Sequence, residues 1–296
     1  MAPRLRDAGH EVVGYDAYSP DTDVASLGAL VGALDVPRVV WVMVPAGEPT
    51  ESTIQELGEM LSPGDVVVDG GNSHWHDSVR RGMALAERDI GFVDCGTSGG
   101  VWGRSEGYCM MVGGEAAHVA LVQSAFDALR PAEGGFAHVG PVGTGHFAKM
   151  VHNGVEYGLM QSYGEGYELL VRSGLGIDVV ATLRAWQHGS VVRSWLLDLL
   201  VRALEQSSPR LDGIAGVAGD SGEGRWAVQE AIERGVATPA ISAALFARFV
   251  SQHDDSLAMR ATAALRNQFG GHAVVTDRQT EAATARPERS REANSS

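Results

Sequence analysis

DVVVDGGNSHWHDSVRRGMALAERDIGFVDCGT, residues 65–97, decides the fold. Three consecutive valines open it and stop at a Gly-Gly-Asn turn, as a short buried strand does. HDSVRRGMALAERD (76–89) then reads as a helix and GFVDCGT (91–97) as a second buried strand. Strand, turn, helix and strand in about thirty residues make a βαβ unit, whose two strands run parallel in one sheet. RVVWVMVP (38–45) and EVVGYD (11–16) extend the pattern upstream, with a helix over TESTIQELGEML (50–61). Residues 1–142 are therefore expected to form a Rossmann-like α/β domain with a parallel, doubly wound sheet, whose strand C-terminal ends carry the ligand crevice.

Downstream the rhythm changes. VVATLRAWQHG (179–189), SVVRSWLLDLLVRALEQ (190–206), WAVQEAIERG (226–235) and TPAISAALFARFVSQ (238–252) are helical patterns with no strand between them. The expectation is an all-α domain over 143–275. Residues 276–296 are polar without an apolar stripe and are expected to be disordered. GPVGTGHFAK (140–149) has the glycines of a hinge between the domains. Trp186, Trp195 and Trp226 fit helix-packing positions.

Bulk properties narrow the function. The 296 residues are 44% hydrophobic and 20% charged, ordinary for a globular protein with two domains. No apolar run approaches the ~20 residues of a membrane span, and the N-terminus lacks a secretory pattern. Cys95 and Cys109 are the only cysteines and lack metal-ligand spacing, so a cytoplasmic protein is expected. A formal charge of −14 disfavours nucleic acid and anionic membranes as partners. A small anionic substrate would instead need a local basic pocket.

The sole lysine, Lys149, marks such a place. In KMVHNGVEYG (149–158), Lys149, His152, Asn153, Glu156 and Tyr157 fall on one face of a helix. A solvated helix scatters its charges, and a core helix does not bury Lys and Glu together, so this face resembles an active-site wall. Asn72 in the DGGNS turn and Ser98, Gly99 and Gly100 in TSGG follow strands and suit ligand contact, although both segments also fit ordinary turns. GDSGEGRW (219–226) is a tight, acidic loop. Arg248 ends a helical stretch, and RNQFGGH places Arg266 before His272 across a Gly-Gly turn.

One element of a dinucleotide fold has no counterpart before Met1: the opening strand with its G-x-G-x-x-G loop. Residues 2–8 read as the end of the following helix, Gly9 as its C-cap, EVVGYD as the second strand and Asp16 as the ribose-binding carboxylate. The expectation is a start codon placed roughly twenty residues late. The alternative is a chain that has lost its phosphate cradle.

Together DGGNSHWHDSVRR, the SGG loop, GHFAKMVHNGVEYGLMQ and RNQFGGH resemble the 6-phosphogluconate dehydrogenase family, in its shorter bacterial branch, over residues 4 to 275. The resemblance implies oxidative decarboxylation of 6-phospho-D-gluconate to ribulose 5-phosphate and CO2, without a metal. Lys149 would act as base and Glu156 as acid. Asn72, Ser98, Gly99, Gly100, His152 and Asn153 match positions that hold the sugar acid. Tyr157, Arg248 and Arg266 match positions around its phosphate. The Arg266–His272 segment would reach a neighbouring subunit's substrate site, implying a homodimer. Asp16, Val44 and Asn72 match cofactor positions. Asp16 and Ala17 stand where NADP-preferring members have Arg-Thr, so NAD is expected over NADP. Ser221 and Glu223 depart from the basic and hydroxyl residues of the long form. A β-hydroxyacid dehydrogenase acting on a small unphosphorylated acid is the competing enzyme reading, and a non-catalytic sugar-phosphate-binding dimer is another.

Overall fold

The computed structural model describes residues 1–253 and 255–270. In chain order its elements are α1 (Ala2–Asp7), α2 (Leu27–Gly32), β1 (Val39–Val42), α3 (Glu48–Met60), β2 (Val66–Asp69), α4 (Trp75–Ala86) and β3 (Gly91–Ser98). A 3-10 turn at Gly100–Trp102 leads to α5 (Gly103–Glu106), β4 (Cys109–Gly114), α6 (Ala116–Leu129) and β5 (Phe136–Gly140). Helices follow: α7 (Thr144–Arg172), α8 (Val179–Trp186), α9 (Trp195–Gln206), α10 (Glu223–Glu233), α11 (Pro239–Ser251) and α12 (Leu257–Gly270).

The sheet follows from side-chain alternation with both faces covered. Val66, Val67 and Val68 are all fully buried, as a strand sandwiched between helix layers requires. Val67 joins Leu30, Ile54, Leu57, Leu85 and Phe92 in one core, beneath α2, α3 and α4. Val66 and Val68 face the other way, toward Val119, Val122 and Phe126 of α6. A third core gathers Val179, Leu183, Leu197, Val201 and Leu204 of α8 and α9 against Tyr163, Tyr167 and Leu170 of α7.

The strand order is β1-β2-β3-β4-β5, and the parallel sheet expected from the sequence carries one antiparallel pairing. β1, β2 and β3 are parallel, as are β4 and β5, but β3 and β4 are antiparallel with Ser98 opposite Cys109. The cause is the short link between them, since a parallel crossover needs a dozen or more residues. A correction concerns EVVGYD, which pairs with no strand among the described residues. Its backbone is tied locally: Asp23 N donates to the Gly14 carbonyl at 2.9 Å, and Gly14 N donates to the Asp23 carboxylate at 2.7 Å. Helix α9 starts at Trp195 and not at Ser190, because the Ser194 hydroxyl accepts from Leu197 N and fixes the N-cap there.

Two compact units are distinguished: Met1–Ala215 with Asp220–Phe246, and Gly216–Gly219 with the chain from Ala247. Every described regular element after β5 is helical. No helix among the described residues is long and apolar enough to cross a membrane. The expected tail at 276–296 lies outside the described residues.

Candidate active site

Helix α7 carries the candidate base, and the sheet fixes its start. Asp94, fully buried in β3, accepts from Gly143 N at 2.7 Å and from His146 N at 2.8 Å. Those N–H groups belong to the first turn of α7 and have no partner inside the helix. Gly145 sits so close to the sheet that a Cβ there would lie 2.6 Å from the Met111 carbonyl oxygen. A Cβ at Gly96 would lie 2.7 Å from the Gly145 carbonyl and would overlap the Lys149 side chain. Gly145 is therefore a close-packing residue inside α7, in a segment whose glycines suggested a hinge. His146 is held by the Ser78 hydroxyl, 2.7 Å from its Nδ1.

The polar face of α7 divides in two. Lys149, Asn153 and Tyr157 point inward and are 8%, 8% and 4% exposed, whereas His152 and Glu156 stand half-exposed beside them. The Lys149 ammonium donates to Asn153 Oδ1 at 2.5 Å, and that oxygen also lies 3.0 Å from His152 Nδ1. His152 Nδ1 is 3.8 Å from the Glu156 carboxylate. Burial pushes the Lys149 ammonium below the ordinary lysine value, while Glu156, Glu223 and Cys109 pull the other way.

Helix α10 closes over this face. Gly154 of α7 faces Ala227 and Ile241, and Gly224 lies against the Tyr157 ring. The Tyr157 hydroxyl accepts from Ser221 N at 3.2 Å. Glu223, at the first position of α10, is 2% exposed, and neither carboxylate oxygen has a hydrogen-bond partner among the described residues.

The DGGNS turn is built by charge. Asp69, fully buried, accepts from Ser73 Oγ at 2.7 Å, from Gly71 N at 3.2 Å and from the buried Arg81 at 3.2 Å. Arg81 also donates to Glu51 at 2.9 Å. The turn leaves Asn72 exposed and brings Gly71 beside Val44, where an added Cβ would stand 3.3 Å from the Val44 carbonyl. Val44 and Gly71 thus lie side by side just past the carboxyl ends of two adjacent parallel strands, with Asn72 next in the turn. That bare backbone suits the close approach of a nicotinamide nucleotide. Asp16 stands apart, exposed, and accepts from Tyr18 N in its own turn.

Ser98 ends β3, and Gly99 and Gly100 follow with φ of 131° and 51°, conformations that favour glycine. Arg248 belongs to the second unit, where it donates to the Gly219 carbonyl at 2.6 Å. Arg266 is exposed on α12 in that unit, and His272 lies outside the described residues. Sequence reasoning missed Asp94, Ser78, His146 and Gly96 as supports of Lys149. The one available signal was an aspartate inside an otherwise apolar strand.

An α/β domain of nucleotide-binding type followed by helices, with a buried lysine in the first long helix, fits the class of nicotinamide-linked oxidoreductases. Residues 1–133 match the profile described as the NAD binding domain of 6-phosphogluconate dehydrogenase, and residues 145–288 match its C-terminal domain. The chain belongs to the 6-phosphogluconate dehydrogenase family. It is 41% identical over 284 residues to the NAD(+)-dependent, decarboxylating 6-phosphogluconate dehydrogenase of Haloferax volcanii, covering 93% of this chain and 94% of that protein. Among solved structures it resembles the Plasmodium falciparum 6-phosphogluconate dehydrogenase with a TM-score of 0.71 and 28% identity, over 85% of this chain and 55% of that one. The Mycobacterium tuberculosis 3-hydroxyisobutyrate dehydrogenase shares the fold, with a TM-score of 0.67 and 21% identity over 86% and 90% of the two chains.

Proposed function

We propose that this chain oxidises and decarboxylates 6-phospho-D-gluconate to ribulose 5-phosphate and CO2, with NAD in preference to NADP. The observation that carries this reading is Lys149, buried, bonded to Asn153 and below its ordinary pKa. An amine whose pKa is lowered toward the working pH is a better base for a hydroxyl proton than an ordinary lysine. Lys149 removes the proton of the C3 hydroxyl, and Asn153 holds the amine in place. The 3-keto acid then loses CO2, because its own carbonyl receives the electrons of the breaking C–C bond. Glu156, at the rim beside His152, returns a proton to the enediol carbon. A bound nicotinamide dinucleotide supplies the hydride acceptor. Val44 and Asn72 would hold it at the strand ends, and Asp16 would take the ribose hydroxyls while repelling a 2′-phosphate.

Asn72, Ser98, Gly99, Gly100, His152 and Asn153 hold the sugar acid, and Tyr157 serves its phosphate. The protein is a cytoplasmic homodimer in which Arg266 of α12 reaches the partner's site. Exposed Leu257, Met259 and Leu265 on α12 support an apolar contact there. A second reading, oxidation of an unphosphorylated 3-hydroxy acid, draws support from Glu223, whose carboxylate would repel a phosphate. NADH and CO2 measured together separate the two. Equal yields of both from 6-phosphogluconate, lost in Lys149→Met, are expected. Hydride transfer without CO2, or indifference to the phosphate, would replace the first reading by the second.

A further inference from the structure

Resting on the sugar-acid reading above, we propose that Glu223 is a substrate-binding carboxylate that accepts hydrogen bonds from hydroxyl groups of the polyhydroxylated acid, placing a hydroxyl-bearing carbon and not the phosphate against it. Both oxygens of this side chain are buried without a partner among the described residues, whereas the buried acids Asp69 and Asp94 are each multiply bonded. A buried carboxylate left unbonded is costly and calls for a donor. The N-terminal end of α10 favours a negative charge at Glu223 but supplies no hydrogen bond to either oxygen.

The neighbours define which donor fits. Lys149 interacts with Glu223 electrostatically, yet its ammonium is bonded to Asn153. Gly224 rests on the Tyr157 ring, and the Tyr157 hydroxyl receives Ser221 N, so Glu223 shares the wall that Lys149 and Tyr157 line. A helix N-terminus with an exposed backbone would attract phosphate, but here the chain places its own anion at that end. A second anion at Glu223 would be repelled. A row of hydroxyls offers donors without charge, and a hydroxy acid brings several. Glu223 is then a specificity residue that reads the polyol part of the substrate.

Calorimetric titration with 6-phosphogluconate and with D-gluconate tests this on the chain and on Glu223→Gln. The variant should bind both about tenfold more weakly, because a charged acceptor makes the stronger hydrogen bonds. Unchanged or tighter binding by the variant, with the unaltered chain binding normally, would overturn the role of Glu223 alone. Failure of the unaltered chain to bind either acid would overturn the sugar-acid reading and this proposal with it. Monodeoxy analogues of 6-phosphogluconate give a readout that needs no variant. The unaltered chain should lose about tenfold for at least one analogue, and equal binding of all of them would refute the proposal.

Discussion

Replacing Asp94 by alanine should loosen the start of α7 and with it the placement of Lys149. The carboxylate takes two N–H groups of the first helical turn at 2.7 and 2.8 Å, in a fully buried position. Hydrogen bonds to a charged group contribute ~1.5–3 kcal/mol each, and the two share one side chain, so Asp94→Ala should cost about 3–4 kcal/mol. That is a large part of the ~5–15 kcal/mol that holds a domain folded. Asp94→Asn keeps the shape but turns one acceptor into a donor, so it should cost about half as much. Urea unfolding followed by tryptophan fluorescence reads the difference, and amide exchange at Gly143 and His146 should quicken in both variants. A cost below about 1 kcal/mol for alanine would refute the capping role. So would an asparagine variant as damaged as the alanine one.

Three further outcomes follow from the charges. The folded Lys149 gives up its proton more readily than an unfolded lysine, so stability should rise with pH between that lowered value and the ordinary 10.5. Lys149→Met should flatten this rise, and equal slopes in urea titrations of the two proteins would contradict it. Hydrogen bonds from Arg80, aided by Arg81, hold the Glu51 carboxyl at about 2 instead of 4.5, against the effect of burial. Its stabilisation is present above pH 4.5 and lost as pH falls through about 2. Glu51→Gln should therefore be weaker than the unaltered chain by about 2 kcal/mol at pH 6, and the gap should close by pH 2. Asp16→Arg should raise the ratio of NADP to NAD use about tenfold or more, by exchanging a repelling carboxylate for a phosphate-binding guanidinium. An unchanged ratio would remove Asp16 from the cofactor site.

Periodicity made much of this fold legible. The valines at 66–68 read as a buried strand, and the spacing of Lys149, His152, Asn153, Glu156 and Tyr157 shows a shared polar face. Only the fold separates the buried Lys149, Asn153 and Tyr157 from the half-exposed other two. Other parts depend on neighbours distant in sequence. CMMVGG and FAHVG are short and carry glycines, so β4 and β5 become strands only by pairing with each other and with β3. EVVGYD has the composition of a strand but lacks a paired neighbour among the described residues, and composition cannot form a ladder. Asp94 and Gly143 are 49 positions apart, and no local rule joins an acid in a strand to a helix start so far away. Glu223 stood out in the sequence as a charge in an unexpected place. Only the packing of α10 on α7 makes it a buried one.

The junction of Gly96, Gly113 and Gly145 places a helix against a sheet at a distance that no side chain permits. Such contacts are unforgiving to evolution. A catalytic residue can be lost and regained by a single codon, but a methyl group at this seam displaces the whole helix, and no second substitution at the seam can trim it back. A saturation screen scored by activity would rank Gly96 beside Lys149, although Gly96 has no side chain with which to do chemistry. Lineages of this fold should therefore explore new substrates through α10 and its loop, and leave the seam unchanged.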